Sequence, residues 1–502
     1  MRPIRALPAA VVLLALCVIA VVAQQVRPAA TSTGQVNAAP RPATVTSAAR
    51  ACPPAPGGGS ATVALMAGSS TSPGGPSPGP ATGLGQVELA PLPVTGVQLR
   101  AVSPINQANP GVLSLLTIPA ATSASKKGTT VSEGWSVTGS AAMAPAVEAE
   151  EASSSGLSSV RCGEPGSDAW FVGPGHQNGA AQIQLDLMNV DSLAASVDVS
   201  VVTDAGPVQA GNNTGITVPP HETLTESLSA LGAGASVVAI EVRTSIGRVA
   251  ADVWESSTSG SSWLPPATAP STSMVIPGVA PSRSVAGLFI AVPGRLSARV
   301  NVLAITPQGL YRPFGTQTVD LPGNSASYVP LTPLGGTASA LELTANVPVT
   351  AAVLVPGSGL GAFSAATPPI SEQAVIAGST AGSGPAATIV LSAPAGAAHV
   401  RLTEIALTAT GAKAAGPGPT ASQVVSVPAR HTLVVPVAPP HGSKAGSAFA
   451  VVITPLAGSG LLYAARVETQ GQNTVVSILP AVSALTTISL PPVRESYSAI
   501  SP

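Results

Sequence analysis

The chain has 502 residues, a mass of 48.8 kDa and a net charge of -1, from 21 Lys plus Arg against 22 Asp plus Glu. Charged residues are 9% of the chain, against about 25% in ordinary soluble domains, which excludes an electrostatic nucleic-acid binder because no basic face can displace counterions from phosphates. With 51 Gly and 51 Pro long helices are disfavoured, and a hydrophobic content of 45% with aromatics only 3% of the chain calls for several small aliphatic cores.

Arg2 and Arg5 precede an uncharged run from Ala6 to Ala23, the basic and apolar regions of a secretory signal. Residues 1–23 therefore read as a signal peptide or a signal anchor, and the chain is expected to be exported, either membrane-anchored or secreted. As a helix the run reaches about 27 Å, just short of the ~30 Å hydrocarbon layer. Val21-Val22-Ala23 offers a cleavage site before Gln24, so retention and cleavage both fit. Residues 24–51 are rich in Ala, Pro and Thr and carry no acid, which predicts a disordered tether. Cys17 belongs to the apolar run. Cys52 and Cys162 remain, and an even pair in an exported chain points to a disulfide over two buried thiols. Neither has a second Cys or a His at ligand spacing, so no metal site is expected. The stretch Gly68 to Gly85 is a Pro- and Gly-broken loop.

Beyond it, apolar residues alternate with period two. Gln182-Ile183-Gln184-Leu185-Asp186-Leu187 and Ser196-Val197-Asp198-Val199-Ser200-Val201 each place aliphatic side chains on one face and polar ones on the other, as half-buried antiparallel strands require. The pattern also repeats. A strand closes on proline at Val218-Pro219, Leu321-Pro322 and Val427-Pro428, and an Ala-Ala pair recurs later at Ala250-Ala251, Ala351-Ala352 and Ala464-Ala465. Three markers in the same order, the third being the strand-and-proline turns at Phe171–Pro174, Phe289–Pro293 and Ile389–Pro394, predict an all-β chain of tandem immunoglobulin-like β-sandwich repeats. The units are a degenerate one at 52–165 and three more at 166–270, 271–370 and 371–495.

The order of export signal, Cys52, Trp135 in a strand-like run, Arg161-Cys162, Asp168-Ala169-Trp170-Phe171-Val172-Gly173, Leu185-Asp186-Leu187-Met188-Asn189 and Ala194-Ala195-Ser196-Val197-Asp198-Val199 resembles an actinobacterial family of exported or membrane-anchored proteins of unknown function, number 5719. The resemblance covers most of the chain after the tether and departs at Asn189-Val190, where Asn-Pro is usual. It implies a cell-envelope β-sandwich protein without assigned chemistry, whose members tend to be encoded near a large membrane glycosyltransferase.

Catalytic motifs are mostly absent: there is no G-x-S-x-G elbow, no P-loop lysine and no H-E-x-x-H, since His221-Glu222 is followed by Thr223-Leu224-Thr225. The histidines at 176, 221, 399, 431 and 441 are scattered, and His221 and His431 fall just after strand-closing prolines, where the middle repeat has Asn324. Those are turn positions. Glu148, Glu150 and Glu151 sit in Ala-Ser-rich sequence and read as a solvated patch, with weak divalent-cation binding as the sharper alternative. Asp186, Asp191, Asp198 and Asp204 read as outward polar positions, and no pair among the acids is singled out as a glycosidase couple. Trp170 is expected to pack beside the disulfide. Trp254 and Trp263 flank a Ser-Gly loop and are the candidate ligand-facing aromatics. The expectation is a non-enzymatic envelope protein without cofactor, a scaffold, spacer or binding module whose partner is surface polysaccharide or a membrane glycosyltransferase. A glycan-active hydrolase with a site between repeats is the alternative, and an adhesin or lectin a third reading.

Overall fold

The computed structural model describes residues 41–490 apart from 57–59, 69–84, 96–104, 108–109, 119–132, 154–158, 179, 209–212, 282–284, 314–317, 332–336, 358, 380–384, 411–418, 444–446 and 472–473. The export segment, the tether up to Pro40 and the loop at 69–84 lie outside the described residues. Among the described residues there is no α-helix, and the fold is of β-sandwich-like class.

The predicted tether ends sooner than its composition suggests. After β1 (Arg41–Thr44), β2 (Ser47–Cys52) pairs with β7 along its whole length, and Arg50, Ala51 and Cys52 are buried. Its small residues pack on both faces: Ala48 lies against one core while Ala51 belongs to another. Alanine carries little hydrophobic signal, so a strand buried on both sides reads as linker. Following β2 come β3 (Ala61–Met66), β4 (Val87–Leu92), β5 (Ile105–Gln107), β6 (Leu113–Ile118), β7 (Gly134–Ser140), β8 (Glu148–Ser153) and β9 (Ser159–Arg161). They form one sheet ordered β2-β7-β4-β5 and a second ordered β6-β3-β8-β9.

The same strand order recurs three more times. The next strands are β10 (Asp168–Pro174), β11 (Gln182–Met188), β12 (Ala195–Thr203), β13 (Gly206–Val208), β14 (Ile216–Val218), β15 (Thr223–Ser227), β16 (Val237–Ile246), β17 (Ala250–Ser257) and β18 (Gly260–Leu264). Their sheets run β10-β16-β12, with β13 and β14 on β12, and β15-β11-β17-β18. Then follow β19 (Ser271–Val279), β20 (Ala286–Val292), β21 (Ala298–Thr306), β22 (Gly309–Tyr311), β23 (Val319–Leu321), β24 (Ser325–Leu331), β25 (Ser339–Val355) and β26 (Ala362–Ala365). Here β25 serves both sheets, pairing β19 and β21 through its first half and β20 and β26 through its second. Last come β27 (Ala374–Ser379), β28 (Ala386–Ala393), β29 (Ala398–Thr410), β30 (Thr420–Val427), β31 (His431–Pro436), β32 (Phe449–Pro455), β33 (Tyr463–Gln470) and β34 (Thr474–Pro480), in sheets β27-β32-β29-β30 and β31-β28-β33-β34. A ribbon of β1 with β35 (Thr487–Leu490) ends the described chain.

Residues Thr44–Ile488 make one compact unit, because each sandwich packs its first sheet on the second sheet of the next. Strand β20 shows how. Leu288, Ile290 and Val292 enter the core of their own sandwich, while the alternate Phe289 and Ala291 enter the core cluster of the preceding one. In β28, Ile389 and Leu391 face inward and Val390 joins the third sandwich's cluster. The fourth sandwich returns to the first, where β29 pairs in parallel with β6. Period-two alternation here divides residues between two dry faces, where a lone sandwich would leave one wet.

The strand-closing prolines mark equivalent turns. Two residues after Pro219, Pro322 and Pro428 the backbone is left-handed, at His221 (φ 53°), Asn324 (φ 51°) and Arg430 (φ 61°). The fourth-sandwich counterpart of His221 is thus Arg430, one residue before His431.

Candidate functional site

Cys52 and Cys162 are joined by a disulfide that ties β2 to the segment leaving β9. Trp135, directly opposite Cys52 across β2 and β7, packs in the same core. Trp170 does not: it is buried in the second sandwich's core, and its Nε1 donates to Asp168 Oδ2 at 3.3 Å. The tryptophan nearest in sequence to the second cysteine lies across a sandwich boundary from it.

The last strands of the four sandwiches, β9, β18, β26 and β34, approach one another. Beyond each, the chain bridges back to the first strand of its own sandwich, at Gly163 with Ala51, Ala267 with Trp170, Thr367 with Val275, and Ser483 with Ala374. Those four equivalent segments line a partly open cavity of about 270 Å³. Its wall is mostly Pro, Ala, Val, Ile and Leu, with Trp263 and a few polar groups. The hydroxyls of Thr268 and Thr367, both on the wall, are buried without a hydrogen-bond partner. Arg161, also on the wall, is committed elsewhere: its Nε donates to Glu148 Oε2 at 2.7 Å. Glu148 is shared with Arg50, 3.0 Å away, which in turn approaches Glu164 at 3.3 Å.

Behind the cavity lies a group of acids. Asp186 on β11 and Asp252 on β17 are directly opposite each other, 0% and 1% exposed, on the face turned toward the first sandwich, which contributes Glu151 at 3%. Asp186 accepts from Thr225 Oγ1 at 2.7 Å and from Gln184 Nε2 at 3.1 Å, whereas neither oxygen of Asp252 has a partner. Burial pushes Asp186 up to about 6 against those hydrogen bonds. Burial, with the Asp186 charge, pushes Glu151 up to about 8. Asp252 is raised well above the carboxylate range by burial and then by Asp186 and Glu151, with Arg161 opposing. Gly163 separates this group from the cavity, and a Cβ built on it would lie 3.6 Å from Asp252 Oδ2. At the junction of the fourth sandwich with the first, Glu150 is instead neutralised by Arg466, fully buried and 2.5 Å away. Arg466 also donates to Gly378 O and Ser159 Oγ, each at 2.8 Å.

The structure thus corrects two readings. Glu148, Glu150 and Glu151 are buried and not a solvated patch, because arginines distant in the chain or neighbouring carboxylates meet them inside. Asp186 is buried as well, since the polar face of β11 is covered by another sandwich; Asp191, Asp198 and Asp204 keep solvent access. Trp263 is on the cavity wall, 6% exposed. Trp254 pairs with it across β17 and β18, half-buried and off the wall. None of the five histidines lines the cavity. Among the described residues no group of three His, Cys, Asp or Glu is placed to hold a metal ion, and no helix is long and apolar enough to cross a membrane. Sequence reasoning passed over Arg466, Thr268, Thr367 and Gly163. Only the position of the last three, just after the final strand of a repeat, could have marked them.

A family model described as a family of unknown function, DUF5719, matches residues 120–438, more than half of the chain. No curated protein and no solved structure matches.

Proposed function

The chain belongs to DUF5719, a family of unknown function, and from that premise we propose that it is a non-enzymatic scaffold of the cell envelope, a rigid body that holds surface polysaccharide or a membrane glycosyltransferase at a fixed geometry. The observation that carries this reading is the closure of Thr44–Ile488 on itself through shared cores, the β29–β6 pairing and the buried Glu150–Arg466 pair. A body closed in this way keeps its loops at fixed spacings, which a string of independently hinged modules does not. The disulfide supports an oxidising, extracytoplasmic setting, and the basic and apolar residues 1–23 supply the route there.

The test is cross-linking of intact cells followed by purification of the full chain. Copurified envelope polysaccharide or a glycosyltransferase, with no turnover of that polysaccharide by the purified protein, is the expected result. Turnover would overturn it in favour of a glycan hydrolase. That second reading draws on the raised acids Glu151, Asp186 and Asp252; it requires the junction holding them to open, and Asp186→Asn with Asp252→Asn would abolish turnover while sparing binding.

A further inference from the structure

We infer that the cavity between β9, β18, β26 and β34 is a binding site for a neutral saccharide end, one or two sugar rings held against Trp263 and hydrogen-bonded by Thr268 and Thr367. This rests on the envelope reading above and adds a ligand class to it. Equivalent segments of all four sandwiches meet at the cavity, so a ligand there touches every unit at once. A cavity of about 270 Å³ is at the small end of ligand pockets, which run roughly 300 to 1,000 Å³.

The wall favours a neutral polar occupant over an apolar or an anionic one, since besides the threonines it carries the carboxylates Glu164 and Asp168, which repel anions. A purely apolar occupant would leave the hydroxyls of Thr268 and Thr367 without partners, as they are now, and a buried unpaired hydroxyl is unfavourable. An anionic occupant would need a free cation, but Arg161 is already spent on Glu148. A sugar ring has an apolar C–H face to lie on the indole and on the prolines at 265, 266, 368 and 480, and a hydroxyl rim to pair with the threonines. The threonines come from the segments following β18 and β26, whose positions are fixed by the bridges of Ala267 and Thr367 to first strands. The backbone that carries them is therefore fixed, and the two hydroxyls, buried and unpartnered at the wall, turn into the cavity to meet a ligand.

The experiment titrates the full chain with glucose, galactose, mannose, arabinose and disaccharides of each, read by saturation-transfer NMR and tryptophan fluorescence. Saturable binding of at least one sugar is expected, weakened at least tenfold in Thr367→Val and in Trp263→Leu. Thr367→Val removes only a hydroxyl from a chain of nearly the same shape, so it keeps the test valid if Trp263→Leu fails to fold, and melting curves of both variants report that directly. Absence of saturation by every sugar, or unchanged affinity in a folded Thr367→Val, overturns the site. Saturation by hexane or benzene with no sugar binding overturns it in favour of a dry apolar cavity. None of these outcomes alters the cross-linking result, so the site and the scaffold reading fail independently.

Discussion

Asp186 and Asp252 face the first sandwich from the same two strand positions that Phe289 and Ala352 occupy facing the second. In both, the pair is directly opposite across the second and third strands of the sheet, next to residues that enter the sandwich's own core, Leu185 and Val253 in one case and Leu288 and Val353 in the other. Val390 and Ala465 are their counterparts in the fourth sandwich and Ala64 and Glu150 in the first. The fold thus offers one pair of positions four times and fills it apolar twice and charged twice. The charged fillings flank the first sandwich, one of them compensated by Arg466 and the other without an equivalent cation. The acid-filled junction of the first and second sandwiches is therefore the one whose closure is expected to depend on pH, and the apolar junction of the second and third is the one expected to be indifferent to it.

The largest effect expected is from the disulfide, which braces the first sandwich where its β9 segment meets that acid junction. Cys52→Ser with Cys162→Ser opens a bond spanning 110 residues, which by the chain-entropy relation costs about 4 to 5 kcal/mol. Urea denaturation should show the loss. A change under about 1 kcal/mol would mean that the first sandwich is held by its neighbours and needs no brace.

Next is Phe289→Ala, which empties the apolar junction. Truncating a fully buried phenylalanine costs about 3 to 5 kcal/mol, and the cost here should be the same at pH 4.5 and pH 8, since Phe289 enters an apolar cluster and its ring meets that of Tyr328, 5.5 Å between centroids, with no carboxylate in the pair of positions. A pH-dependent cost would blur the contrast between the two junctions.

Much of this arrangement was legible. The closing prolines and Ala-Ala pairs mark equivalent places, and Ala251, Ala351 and Ala464 all sit opposite core residues of their own sandwich. What the sequence does not carry is which polar face is dry. Gln182–Leu187 and Ser196–Val201 have the same alternation, yet Ser200 is exposed and Asp186 is sealed, because β11 lies in the middle of its sheet and β12 toward the edge of its own, with only the short β13 and β14 beyond it. Glu148 and Glu150 look solvated for a related reason: the arginines that meet them, Arg161 and Arg50 for the first and Arg466 for the second, come from other strands. The cavity escapes motif reading because each sandwich gives it only a few residues, most of them Pro, Ala or Gly.

Asp252→Asn probes the acid junction directly. Folding raises the pKa of Asp252, Asp186 and Glu151, so all three keep protons that the unfolded chain gives up. Below about pH 4, near the unfolded values, these three acids are protonated in both states and their contribution to stability is fully present. As pH rises, stability falls by up to about 1.4 kcal/mol per unit for each acid until its folded pKa is passed, about 6 for Asp186 and about 8 for Glu151. Removing the Asp252 carboxyl should remove one such slope. The variant is expected to melt with the parent at pH 4.5 and clearly above it at pH 8. Parallel melting curves across that range would mean the acids are not sealed from water.

Thr225→Val is the smallest and most pointed change, because it leaves every charge in place. The Thr225 hydroxyl donates to Asp186 Oδ1 and favours its ionised form, which is why Asp186 is raised less than its burial alone would dictate. Without that donor the folded pKa of Asp186 should move above about 6, extending the loss of stability to higher pH. A hydrogen bond to a charged group is worth roughly 1.5 kcal/mol or somewhat more, and one to a neutral acid about half that. The cost of the variant should therefore be greater at pH 8, where Asp186 is ionised, than at pH 4.5, where it is protonated. If the cost were instead equal at the two values, Asp186 would have to remain protonated throughout, and the acid junction would differ from the apolar one in polarity but not in charge.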